Sequence, residues 1–415
     1  MLAQPVTRGA ASSEPRAGQR RVPVRVERAG IMRSHLMLVA AMLACASASA
    51  FGQCAPVWPM WQSFVTRFVQ QDGRVVNFDM QRQESMSETQ AYALFFALVA
   101  NDPATFQRLL NWTRDNLAAG DLTDKLPAWQ WGKRADGSWG VLDANSASDA
   151  DLWLAYTLLE AGRLWRRKPY AALGRLIATQ IARREVAMLR GLGPMLLPGE
   201  NGFVREGGLV RLNPSYVPVP LLRRLAVEDP EGPWSGIAQT TLAVVQATAA
   251  TGFAPDWIAW REGQGFLGDP DRGESGSFDA IRVYLWAGLT DPSDPLQRPL
   301  LDALAGMQRV LTERNVPPLK VGSASGAIEG TGPVGFSAAV LPYLKARRQP
   351  KLVEQQQLRV AALQDGGPGQ KGLGYYDSVL TMFGKGWSDQ RFRFDREGRL
   401  IPRWRQPCES LRKNP

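Results

Sequence analysis

Three segments place a carboxylic acid at the same local position, the first turn of an apolar helix: Ser87-Glu88-Thr89-Gln90, Ser148-Asp149-Ala150-Asp151 and Ser277-Phe278-Asp279-Ala280. Ser87, with Gln90 three residues on, reads as a capping box. If the helices that follow run the same way around a helical barrel, Glu88, Asp149 and Asp279 open onto one face. Carboxyls grouped in that way can divide acid and base duties, a protonated member giving a proton and an ionised member taking one. The plainer reading is that acids at helix N-termini complement the helix dipole and do nothing else. Spacing alone leaves both readings open.

Other catalytic chemistries are narrowed by composition. The chain of 415 residues has one His, His35, inside an apolar stretch near its start. Met32-Arg33 precedes Leu36-Met-Leu-Val-Ala-Ala-Met-Leu-Ala44, and Ala48-Ser49-Ala50 follows as an A-x-A cleavage pattern, so the stretch reads as a secretory signal. Residues 1–31 then form an upstream extension, 32–50 the signal, and 51–415 a single catalytic domain. The mature chain would lack imidazole, which excludes Ser-His-Asp and Cys-His catalysis and any His-ligated metal site. No later stretch reaches the roughly 18 apolar residues of a membrane span. A periplasmic or secreted protein, with no transmembrane segment after signal removal, is therefore expected. Cys54 and Cys408 survive cleavage at opposite ends of the mature chain, and in an oxidising compartment a disulfide between them is the natural expectation; two separate thiols are the alternative.

Half of the formal charge of +10 lies in residues 1–50, and the remainder is dispersed. No module for reading nucleic acid is present, so no nucleic-acid partner is expected. The 14 Trp are more informative. Flat rings in loops beside polar residues suit the C–H faces of sugars, and Trp129 and Trp131, between Pro127 and Gly132-Lys133, fit best. Tyr216, Trp257, Trp260, Tyr375, Tyr376 and Trp387 are further large rings, several of them beside polar residues in loops. Trp153, Tyr284 and Trp286 fall within helical apolar patterns and read as core.

The elements that must hold these groups are helices. Apolar residues recur at helical spacing in about a dozen segments, among them Tyr92-Phe95-Phe96-Val99, Leu152 to Leu159, Leu173 through Met188, Ile281-Tyr284-Leu285 and Phe336 to Leu344. Breakers such as Gly191-Leu-Gly-Pro194 and Gly366-Gly-Pro-Gly369 separate them. Strand-like alternation is confined to pieces such as Phe203–Arg205 and Gly208–Leu212. An all-α domain with a few short strands in its loops follows.

The run Asn145-Ser-Ala-Ser-Asp-Ala-Asp-Leu-Trp-Leu-Ala-Tyr-Thr-Leu-Leu-Glu-Ala-Gly-Arg-Leu-Trp165 resembles the signature of glycoside hydrolase family 8. Leu126-Pro-Ala-Trp-Gln-Trp131, Asn213-Pro-Ser-Tyr216, Phe278-Asp-Ala-Ile-Arg-Val-Tyr284, Gly332-Pro-Val-Gly-Phe-Ser337 and Tyr375-Tyr follow in the family's order. The likeness is strongest to those members associated with bacterial cellulose synthase. It implies an (α/α)6 barrel, inverting hydrolysis of β-1,4-glucan, no metal or organic cofactor, a glucan substrate, and the cellulose synthase machinery as a partner. By the same resemblance Glu88 is the general acid, Asp279 the general base and Asp149 the acid that holds the sugar. Arg282 matches an arginine one helical turn from the base, and Trp129, Tyr216 and Tyr376 match rings lining the cleft.

One departure is visible: Thr89 and Ala93 stand where the family usually has glycine beside its acid. Xylan or chitosan as substrate, a noncatalytic glucan-binding protein and a helical scaffold for protein partners are the alternatives. An acid at a helix N-terminus is biased towards its ionised form, so the general acid is expected to keep its proton through burial or through the like charge of Asp149.

Overall fold

The computed structural model describes residues 57–78, 83–363 and 372–406. The signal reading, His35, Cys54 and Cys408 lie outside the described residues. All described residues belong to one unit, Cys54–Pro415. Among them are thirteen α-helices: α1 (Pro59–Phe68), α2 (Ser87–Val99), α3 (Pro103–Trp112), α4 (Ser148–Leu164), α5 (Lys168–Arg184), α6 (Val219–Glu228), α7 (Trp234–Thr248), α8 (Ala280–Leu289), α9 (Gln297–Ala303), α10 (Ala305–Arg314), α11 (Val334–Ala346), α12 (Pro350–Leu363) and α13 (Tyr375–Ser388).

Two kinds of helix alternate along the chain. In α2, α4, α8 and α11 nearly every residue is buried, as expected of helices that are apolar on all sides. In α3, α5 and α12 only one stripe is buried. The all-apolar helices, with α6 and α13, form an inner ring in which α2 packs on α4, α4 on α6, α6 on α8, α8 on α11 and α11 on α13. Phe383 closes the ring from α13 to α2, its ring centre 5.1 Å from Tyr92, 5.6 Å from Phe95 and 4.6 Å from Phe96. Helices α1, α3, α5, α7, α10 and α12 lie outside, which gives the (α/α)6 barrel.

Close approach inside the ring depends on glycine. A Cβ on Gly384 of α13 would stand 1.8 Å from the Ala338 carbonyl oxygen of α11, and one on Gly288 of α8 would stand 2.2 Å from the Tyr343 nitrogen. Trp153, Tyr284 and Trp286 are core residues, as their helical spacing predicts.

The strands are short and confined to loops, but there are more of them than the sequence analysis expects. Val210–Leu212 pairs with Ile258–Arg261, which pairs in turn with Gly265–Gly268. Further hairpins join Gln130–Lys133 to Trp139–Asp143 and Phe392–Phe394 to Leu400–Pro402. The predicted helix from Leu173 through Met188 is shorter than expected. It stops at Arg184, and Val186–Leu189 forms a hairpin with Gly193–Leu196. The turn residues around Gly191 and Gly193, both at positive φ, favour the hairpin over a longer helix.

Candidate active site

Successive inner helices run in the same direction, so their N-termini gather at one end of the barrel. Glu88 is the second residue of α2, Asp149 the second residue of α4, and Asp279 caps α8. Arg282, one turn into α8, joins all three. Its Nη1 donates to Glu88 Oε2 at 2.5 Å and to Asp149 Oδ2 at 3.2 Å, and its Nη2 donates to Asp279 Oδ1 at 2.8 Å. Tyr92 Oη and Ser215 Oγ complete the fork at 3.0 and 3.1 Å. The guanidinium is buried, and only an arginine supplies a planar set of donors able to meet three carboxyls at once.

Three carboxylates against one guanidinium leave an excess of negative charge, which the site relieves by holding a proton. Burial first, and the neighbouring Glu88 second, push the Asp149 carboxyl up to about 8. Asp149 Oδ1 accepts from the Ala150 N–H, which opposes that rise without cancelling it. Exposure separates the three acids: the Asp149 side chain is 4% accessible, Glu88 20% and Asp279 31%. A substrate arriving from solvent therefore meets Glu88 and Asp279, with Asp149 at the floor.

Local chemistry explains why the chain turns where it does. Asp256 Oδ1 accepts from the backbone N–H groups of Ser277, Asp279 and Ala280 at 2.7, 3.1 and 2.7 Å, acting as an N-terminal cap supplied from another loop. At α2 the capping differs from expectation. Met86 is the N-cap and Ser87 the first helical residue. Thr89, not Gln90, bonds back to it: Thr89 Oγ1 accepts from the Met86 N–H and donates to the Met86 carbonyl. The Gln90 side chain is instead buried against Val75, Gly73 and Thr113. Thr89, one of the two departures from the family pattern, is thus turned to the cap.

The rings divide into two groups. Tyr216 lies over Arg282, its ring centre 5.6 Å from the guanidinium carbon, and meets Trp257 edge-on. Tyr376 donates from its hydroxyl to the Phe278 carbonyl at 2.6 Å and so stands beside Asp279. Trp129 is partly exposed, and its backbone bonds both to Ser87 and to Asn145, tying the entry of α2 to the loop before Asp149. Trp131 is packed differently. It meets Trp112 edge-on, stacks on Trp139 at 5.4 Å and carries the Arg74 guanidinium over its face, so protein covers much of its surface.

Sequence reasoning missed the partner of Asp279. Trp257 Nε1 donates to Asp279 Oδ2 at 3.0 Å, with Phe203 stacked on its ring and Arg211 over it. Trp257 is visible in the sequence as one ring among many, but nothing local marks it as bonding a residue 22 positions on. Among the described residues, no group of three or more His, Cys, Asp or Glu is arranged to hold a metal ion.

Residues 32–390 match the family model described as glycosyl hydrolases family 8. The chain belongs to glycosyl hydrolase family 8. Among curated relatives of this family 8 hydrolase, an endoglucanase of Xanthomonas axonopodis pv. citri (strain 306) is 50% identical over 370 residues, covering 89% of this chain and 95% of that one. An endoglucanase of Salmonella typhi is 45% identical over 360 residues, 87% of this chain and 95% of the relative. Among solved structures, the endo-1,4-D-glucanase of Vibrio fischeri ES114 superposes with a TM-score of 0.77 at 42% identity, over 84% of this chain and 100% of that one.

Proposed function

We propose that this family 8 hydrolase is an endo-β-1,4-glucanase that inverts the anomeric centre, with Glu88 as general acid, Asp279 as general base and Asp149 as the carboxyl that holds the sugar at the cleavage point. The observation that carries the reading is the single buried arginine bonded to all three acids. An inverting pair needs one carboxyl at the glycosidic oxygen and a second on the far face of the sugar, roughly 6.5–9.5 Å away, with a water between. Glu88 and Asp279 stand on different nitrogens of one guanidinium and on different helices, an arrangement compatible with that demand. The Trp257 N–H fixes one oxygen of Asp279 and Arg282 the other, which sets the direction from which the carboxylate can take a proton.

In the reaction, Asp279 takes a proton from water as its oxygen attacks the anomeric carbon from the side opposite the leaving group. Glu88 gives its proton to the glycosidic oxygen as that bond breaks. The proton the site retains at neutral pH belongs to the coupled cluster, not to one residue. Asp149 and Arg282 lie beneath, where they can bond sugar hydroxyls. Trp129, Tyr216 and Tyr376 supply ring faces for neighbouring sugars, and Trp131 supports the hairpin beside them.

Activity on carboxymethylcellulose, xylan and chitosan, measured side by side, tests the substrate. Carboxymethylcellulose should be cleaved fastest; preference for either of the others would overturn the glucan assignment. The N-terminal sequence supports export to the periplasm or beyond. The likeness to members associated with cellulose synthase supports a role in trimming glucan made by the same cell, beside the synthase machinery. Rapid solubilisation of crystalline cellulose by the purified protein would count against that role.

A further inference from the structure

Behind Asp149 on the same helix lies a second pair of acids that the hydrolytic reaction does not use. Asp151 of α4 faces Glu185, which caps the end of α5, and neither has any exposed surface. Among the described residues, no N–H or hydroxyl reaches either oxygen of Asp151 or Oε2 of Glu185. The two carboxyls instead face each other within hydrogen-bonding reach. A carboxylate can only accept a hydrogen bond, so two ionised carboxylates cannot bond in this way, whereas one acid and one carboxylate can. The surrounding charges offer no alternative. Asp149 and Glu200, the charges that act most on the pair from outside it, are both acidic, and the neighbouring Arg184 is turned outward to Gln180 and Glu200. Burial drives both carboxyls of the pair upward.

The pair is connected to the active site through one hydroxyl. Ser146 Oγ donates to Glu185 Oε1 at 2.5 Å and accepts from the Glu200 N–H at 3.0 Å. The Ser148 N–H donates to the Pro198 carbonyl, and the Leu197 N–H to the Glu185 carbonyl. Gly199 lets this loop press on the segment before α4, since a Cβ there would stand 2.3 Å from the Ser146 oxygen. Asn145, next in the segment, accepts from the Trp129 N–H. The segment 145–149 is thus held between the acid pair and the substrate cleft.

We propose that Asp151 and Glu185 share one proton at neutral pH, and that this shared proton is a positioning device that fixes the first turn of α4, and with it Asp149 and Trp129. The positioning half of the inference rests on the role given above to Asp149; the shared proton does not.

An infrared difference spectrum of wild type against Asp151→Asn at pH 7 reads the proton directly. The wild type should show a protonated-carboxyl C=O band that the variant lacks, and the absence of any such difference would overturn the sharing. Kinetics read the positioning. Asp151→Asn and Glu185→Gln keep a bonded, uncharged partner in place and should keep kcat close to wild type. Asp151→Ala and Glu185→Ala should lose kcat by about 10²-fold, the scale of a small misplacement at a reacting centre. Folding is checked by circular dichroism. If a folded Asp151→Asn is as impaired as Asp151→Ala, the proton is not what positions the site. A wild type with the carboxyl band but no glucanase activity would sink the proposed function and leave the shared proton standing.

Discussion

Asp149→Asn should make the protein more stable, and the gain should grow with pH. In the native state burial and Glu88 hold the Asp149 carboxyl up at about 8, from an ordinary value of 3.8, with Arg282 opposing. The native state therefore binds a proton that the unfolded chain releases. Stability from this group is fully present below about pH 4 and is lost as pH rises towards 8, because between those values folding must take up a proton. Each unit of separation corresponds to about 1.4 kcal/mol, so the whole gap sets a ceiling of roughly 5–6 kcal/mol. Coupling to Glu88 and Arg282 spreads the effect over the cluster, and roughly 2–4 kcal/mol at pH 8 is the expected share. An asparagine has no proton to take up and retains an oxygen for the Ala150 N–H. Urea unfolding of both proteins at pH 5, 7 and 8 measures the difference, while activity of the variant should collapse. A variant less stable than wild type at every pH, or a difference that does not widen from pH 5 to 8, would mean that the native state takes up no proton at Asp149.

Glu88→Gln keeps the shape of the acid and removes its transferable proton, so cellopentaose turnover should fall by at least roughly 10²-fold with binding, followed by calorimetry, retained. Trp257→Phe removes the N–H that orients Asp279; a hydrogen bond to a charged group is worth about 1.5–3 kcal/mol, so kcat should drop by about tenfold or more while the fold, followed by circular dichroism, persists. Gly384→Ala forces a methyl against the Ala338 carbonyl and should cost about 1–3 kcal/mol or more in denaturant unfolding, since α13 and α11 must move apart.

The sequence made the inner helices and the three acids legible for a physical reason. A helix buried on all sides is mostly apolar on all sides, so acids in its first turn, such as Glu88, Asp149 and Asp279, stand out against their surroundings. Arg282 was marked only by its match to a family arginine, and its bonds to Glu88 and Asp149 join three separate helices. What remained hidden depends on residues far apart in the chain. Asp256 caps α8 from a different loop, Trp257 orients Asp279 from before an intervening hairpin, and Asp151 meets Glu185 across two helices. The capping box predicted at Ser87 failed by one position because Thr89, also able to bond back, competes with Gln90, whose amide finds four partners on the side facing α3. The helix predicted to run on to Met188 failed because apolar spacing continues through Val186 and Leu189, where the same residues serve the hairpin.

Activation of water by Asp279, on the face of the sugar opposite Glu88, leaves a mark on the product. Proton NMR of cellohexaose cleavage in its first minutes, before the anomers interconvert, reads the configuration of the new reducing end. The first product from a β-linked substrate should be the α anomer, because a single displacement inverts the centre. Initial β product would contradict the base role of Asp279 and require a covalent intermediate instead.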